Sequence, residues 1–189
     1  MPKHQAATDT EDIMRDAALL GARLLLGGYM CIHAAQKLFG KFHGPGLDGI
    51  GATFEQNGLA PGRPLAATAA ATEIAGGLLT GTGIAYPAGP IAVGGAMTVA
   101  AGHNRGNGLM ASRNGVELPV VYLTLAATLA AAGPGKYAIG PRLPGKFAAL
   151  GALAGGVVAG GLIAKMLFAR PAGETEPEPD FAAPGSDDL

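Results

Sequence analysis

Apolar residues in this chain come in long blocks separated by polar or glycine-rich links. The first block, Ala17–Gln36, follows a polar stretch, residues 1–16, that carries Asp9, Glu11, Asp12 and Asp16. Later blocks cover Leu65–Thr82, Ala85–Gly102, Leu118–Ala132 and Phe147–Phe168. A helix needs about 20 mostly apolar residues to cross a hydrocarbon core about 30 Å thick, and the blocks are of that order, the fourth being the shortest. The pattern predicts five membrane-crossing helices. Pro87 and Pro90 fall in the first turns of the third block, and Pro119 opens the fourth, where a helix tolerates proline. The short Gly-Thr-Gly link predicts that the second and third helices form an antiparallel hairpin.

The links have their own signatures. Residues 38–64 are punctuated by Gly40, Gly44, Pro45, Gly46, Gly49 and Gly51, which argues against a long helix. Within that stretch Leu47–Asn57 predicts a short amphipathic helix at the interface, with Phe54 toward lipid or core. A polar loop, residues 103–117, precedes the fourth helix. Residues 140–169 supply a connection and the fifth helix. The acidic, proline-rich tail, residues 170–189, cannot form a core and is expected to be disordered.

Composition sharpens the membrane reading. The 189 residues are 49% hydrophobic and 14% charged, with mean hydropathy +0.30, whereas a soluble domain carries about 25% charged residues. Net charge is −1 and no basic cluster interleaves with aromatics, so nucleic acid is excluded as a partner. The first block reads as an uncleaved span, since its leading stretch is acidic rather than basic. Lys and Arg are spread over both sets of links and do not fix orientation. The Lys136–Lys146 link is the densest basic one, and a cytoplasmic N-terminus is the reading adopted. Cys31 is the single cysteine, so a dithiol relay is excluded and Cys31 is expected to pack as a small hydrophobe.

Against this background a few polar residues stand out. Tyr29, His33 and Lys37 step by four and share one helix face. Glu73 lies near the centre of the second block, and His103 closes the third. Ionisable groups are costly in hydrocarbon and are expected to face one another or a cavity. Glu73 either pairs with Lys37 or Arg23 to neutralise a buried charge, or holds a proton for chemistry. Arg23 is expected to snorkel to the headgroups along its aliphatic stem. His103 is expected to cap at the interface, and Glu117 to cap the positive end of the fourth helix. Gly151, Gly155, Gly156 and Gly160 give overlapping GxxxG spacings, a helix-packing face within or between protomers. Among motifs, no haem, iron–sulfur or dinucleotide signature occurs and no metal site is expected.

Four ordered stretches resemble the DoxX family of integral membrane proteins: HAAQKLFGKFHGPGLDGIGATFEQNGLAP, ATEIAGGLLTGTG, GHNRGNGLMASRNGVELPVVYL and GPGKYAI. The resemblance implies an all-α fold, a four-helix transmembrane bundle over residues 17–139. This chain departs from the pattern by adding a fifth, C-terminal transmembrane helix. It also implies a multi-pass protein of the inner membrane that serves a redox or oxidative-stress assembly. Relatives are linked to thiosulfate:quinone oxidoreductases and, in actinobacteria, to soluble redox-stress enzymes. The alanine and glycine richness suits an actinobacterial source.

The functional readings are three. In the first, His33, Lys37, Glu73 and His103 hold a quinone, with Glu73, His33 and His103 as the candidate catalytic groups; any enzyme activity would be that of a quinone-linked oxidoreductase subunit. In the second, the bundle anchors other membrane subunits or soluble redox enzymes, or forms a homo-oligomer. In the third, it is a small-solute permease, for which no inverted repeat is visible.

Overall fold

The computed structural model describes residues 2–168, and the acidic tail from Arg170 lies outside the described residues. Every regular element among them is helical. α1 spans Pro2–Phe39, α2 Gly46–Gln56, α3 Gly62–Thr82, α4 Ala88–Asn104, α5 Glu117–Ala132 and α6 Gly145–Phe168. Two single turns of 3-10 helix, Arg105–Asn107 and Ala111–Arg113, break the link between α4 and α5.

α1 extends well beyond the first apolar block. From Pro2 the polar stretch is part of the same helix. Nothing between Lys3 and Leu20 is Gly or Pro, so polarity ends the apolar block without ending the helix. At 1.5 Å per residue α1 is about 57 Å long, against about 30 Å of hydrocarbon.

α1, α3, α4 and α5 close into a ring: α1 touches α3, α3 touches α4, α4 touches α5, and α5 returns to α1. α2 lies against α3 and α1, and α6 packs on the outside of α4. Leu26 and Met30 of α1, Val93 and Met97 of α4, and Tyr122, Ala126 and Leu129 of α5 form the core. In lipid such a core is held by close packing rather than by escape from water.

Glycine decides how close the helices come. A Cβ on Gly27 would lie 2.6 Å from the Gly77 carbonyl oxygen, and one on Gly77 2.8 Å from that of Gly27. The α1 and α3 backbones therefore touch, and only glycine fits on either side. α3 then ends at Gly83, whose φ of 76° is left-handed and whose N–H bonds to the Leu79 carbonyl. The chain turns through Tyr86 and Pro87 into α4, and Gly76 beside Val93 with Gly89 beside Thr80 makes the two helices antiparallel.

Two helices are long and apolar enough to cross a membrane, over Asp9–Phe39 and Gly145–Lys165, with mean hydropathies of 1.4 and 2.0. α5 is apolar but shorter. The window in α6 is 6% buried, so this helix presents nearly all of its apolar surface outward. At Gly151, Gly155, Gly156 and Gly160 an added Cβ would meet nothing within 4 Å. The close glycine contact expected of α6 is thus not made within the chain; the intimate contact is the one between Gly27 and Gly77.

Candidate functional site

The candidate polar residues converge where α1 ends, α3 begins and α4 ends. Lys37 follows His33 by four on α1, so both point to one side. Because α1 and α3 run antiparallel, that side faces the first half and middle of α3. There the Lys37 Nζ donates to Glu73 Oε1 in an ion pair. The Glu73 side chain is 2% exposed and that of Lys37 21%. The second carboxylate oxygen, Glu73 Oε2, is buried and has no partner.

Histidines flank the pair. Glu73 and Lys37 are the charges that act on His33, and Lys37 also acts on His103. His33 Nδ1 donates to Gln36 Oε1 at 3.1 Å, and Gln36 Nε2 donates to the Phe42 carbonyl at 3.4 Å. Since that carbonyl needs a donor, the amide oxygen of Gln36 must face His33. The neutral ring then carries its proton on Nδ1 and keeps Nε2 as an acceptor. His103 is half-buried, and its Nδ1 is buried without a partner.

Aromatic rings wall the cluster. Tyr122 of α5 sits edge-on to His33, with ring centroids 5.6 Å apart, and at 5.7 Å from Tyr29. Phe54 of α2 sits edge-on to His103 at 5.6 Å. α2 therefore serves as a cap over this end of the ring, and Phe54 faces the core. Residues 18–104, from within α1 to the end of α4, match the DoxX family model. This part of the chain is a DoxX domain. The chain is accordingly a membrane protein, all-helical in its described part. No curated protein and no solved structure matches it.

The matched part of this DoxX chain contains His33, Lys37, Glu73 and His103, and the fold brings these four together. It does not bring Arg23 to them. Arg23 precedes Lys37 on α1 by about four turns, about 21 Å along the axis. Of the two partners open to Glu73 on sequence grounds, the structure selects Lys37. Nor does Arg23 snorkel: it is 0% exposed, and Nη2 donates to the Tyr137 carbonyl at 3.1 Å. Antiparallel packing explains the difference, since α3 and the segment after α5 cover this level of α1.

Glu117 sits in the first turn of α5, but its Oε2 accepts from the backbone N–H of Ala111 at 2.8 Å. It ties the neighbouring 3-10 turn to α5, while its place in the first turn sets a carboxylate at the positive end of that helix as expected. Gln36 and Tyr122 belong to the cluster and are not singled out as site residues in the sequence. The spacing of Gln36 from His33, three residues on one helix, is a usable sign. Tyr122 has none, because its place depends on how α5 docks against α1.

A cavity of about 370 Å3 opens between α4, α5 and α6, lined among others by Ile91, Gly94, Thr98, Leu123, Gly155 and Gly156. None of the four polar residues lines it. The only hydroxyl named here, on Thr98, donates to the Gly94 carbonyl of its own helix. The cavity is suited to hydrocarbon and carries no chemistry.

Proposed function

We propose that this DoxX protein is a multi-pass subunit of the inner membrane in which α1, α3, α4 and α5 cross as a bundle and α6 adds a fifth crossing. Its polar cluster serves a redox or oxidative-stress assembly by holding the polar head of a quinone. The observation that carries this reading is the buried Lys37–Glu73 pair, with Glu73 Oε2 and His103 Nδ1 both lacking partners. Buried polar atoms are nearly always satisfied, so two orphans at one end of a helical ring suit an absent polar ligand. Lys37 and a protonated His103 Nδ1 offer donors to the carbonyl oxygens of the quinone, and His33 Nε2 and the Glu73 carboxylate accept from the hydroxyls of its reduced form. A bound quinone would supply the electron-carrying chemistry that this chain lacks, and a partner subunit would exchange the electrons.

The test is the quinone content of the full-length protein after mild extraction from native membranes. Wild type is expected to retain quinone, and Glu73→Gln to retain about tenfold less, the cost of a lost charge-assisted hydrogen bond. A wild type that carries none, or a variant that carries as much, ends the reading.

A second reading, that of an anchor or assembly subunit, is favoured by α6. At its glycines an added Cβ would meet nothing within 4 Å, and its apolar window is 6% buried. Co-purification in mild detergent distinguishes the two, because an anchor brings protein partners down whether or not Glu73 is intact.

A further inference from the structure

The end of the ring opposite the Lys37–Glu73 pair holds a second buried charge. Arg23 is 0% exposed, and only one of its nitrogens has an acceptor, the Tyr137 carbonyl. Nε and Nη1 are buried with none. Among the described residues no carboxylate pairs with it. A lysine here could shed its proton, but a guanidinium cannot, so the charge stays and needs an acceptor. The carbonyl end of α3 offsets part of it: a Cβ on Gly83, the α3 cap, would lie 2.1 Å from Nη1.

A second cation belongs to the same place. Tyr86 is 4% exposed and donates to the Leu129 carbonyl. Arg142 precedes Leu143, whose N–H bonds to the Tyr86 carbonyl, so the backbone sets Arg142 at this end of the ring. Arg142 is exposed, on the segment of residues 133–144 that closes this end. That segment is held by Ile139 N–H to the Thr82 carbonyl at 2.9 Å and Leu143 N–H to the Tyr86 carbonyl at 2.9 Å. Lys136 is exposed along it, and Lys146 is exposed in the first turn of α6.

We propose that Arg23 is the inner, and Arg142 the outer, donor of a site for a phosphate-class oxyanion at this end of the ring. The planar guanidinium forks match phosphate oxygens, and an anion here would supply the acceptors that the buried Arg23 donors lack. The phosphate comes either from an anionic phospholipid headgroup or from solution. Basic pockets between membrane helices commonly take such headgroups. This site is independent of the quinone reading, since it shares no residue with it.

The experiment follows thermal unfolding of the purified full-length chain with phosphatidylglycerol, with phosphatidylcholine and with inorganic phosphate. Arg23→Lys, Arg142→Gln and, at the far end, Arg113→Gln are compared with wild type. The expected result is stabilisation of wild type and Arg113→Gln by phosphatidylglycerol over phosphatidylcholine, weakened in Arg142→Gln and Arg23→Lys. The half-saturating concentration of the anion should rise about tenfold in either. If inorganic phosphate alone reproduces the shift, the source is soluble phosphate; if only the lipid does, it is the headgroup. No shift in wild type with any of the three overturns the proposal, and so does a shift of equal size in all variants. Arg142 is exposed, so Arg142→Gln keeps the test open should Arg23→Lys fail to fold.

Discussion

At the scale of single residues, the Lys37–Glu73 pair sets the terms. A carboxylate 2% exposed is tolerable in this ring because an ammonium reaches it. Removing one partner of a buried pair costs about 3–5 kcal/mol, whereas replacing both by apolar groups is often nearly neutral. Lys37→Met alone is therefore expected to lower the unfolding midpoint markedly in detergent, and Lys37→Met with Glu73→Leu to recover most of the loss. A double variant as unstable as the single would show that the pair contributes no such coupling. Glu117 gives a smaller case. Glu117→Gln weakens the bond to the Ala111 N–H, at a cost of about 0.5–1.5 kcal/mol. Its signature is faster hydrogen exchange confined to the Ala111–Arg113 turn.

At the scale of elements, two kinds of glycine behave differently. Gly77 supports the α1–α3 contact, where a Cβ would press on the Gly27 carbonyl and on the Met30 side chain at 2.9 Å. Gly77→Val must push the helices apart, at a cost of about 1–3 kcal/mol or more. Gly156 of α6 has nothing within 4 Å, so Gly156→Val should leave the stability of a single chain unchanged within about 0.5 kcal/mol. If α6 joins copies or other subunits, the same variant lowers the oligomer fraction in mild detergent. Equal destabilisation by the two variants would contradict the contrast. The spacing of small residues is similar in both helices, which is why the pattern alone could not say which face is used.

At the scale of the whole molecule, the multi-pass reading makes a statement about sides. Arg113, in the link between α4 and α5, and Lys136, in the link between α5 and α6, lie at opposite ends of α5. In a Cys31→Ala background, Arg113→Cys and Lys136→Cys should be labelled by an impermeant maleimide from opposite sides of intact vesicles. Labelling of both from one side would show that α5 does not cross. α1, about 57 Å long, then carries its polar first part beyond the bilayer on the Lys136 side, where Asp16 Oδ1 accepts from the Lys136 N–H at 3.1 Å.

The order and type of the helices were legible in the chain itself, because hydrophobic blocks and Gly/Pro punctuation act locally. Leu65–Thr82, Leu118–Ala132 and Phe147–Phe168 fall within α3, α5 and α6, and Leu47–Asn57 marks α2 to within a residue. The family was legible too, since its motifs are stretches of contiguous residues. That His33, Lys37, Glu73 and His103 would seek company followed from the cost of charge in hydrocarbon. Which company they keep did not. The choice of Lys37 over Arg23 for Glu73, the burial of Arg23 beneath residues 133–144, and the place of Tyr122 against His33 depend on helix register. Register is decided by which backbones can approach, at Gly27 and Gly77 above all, and that is a property of two surfaces fitted together rather than of either segment alone.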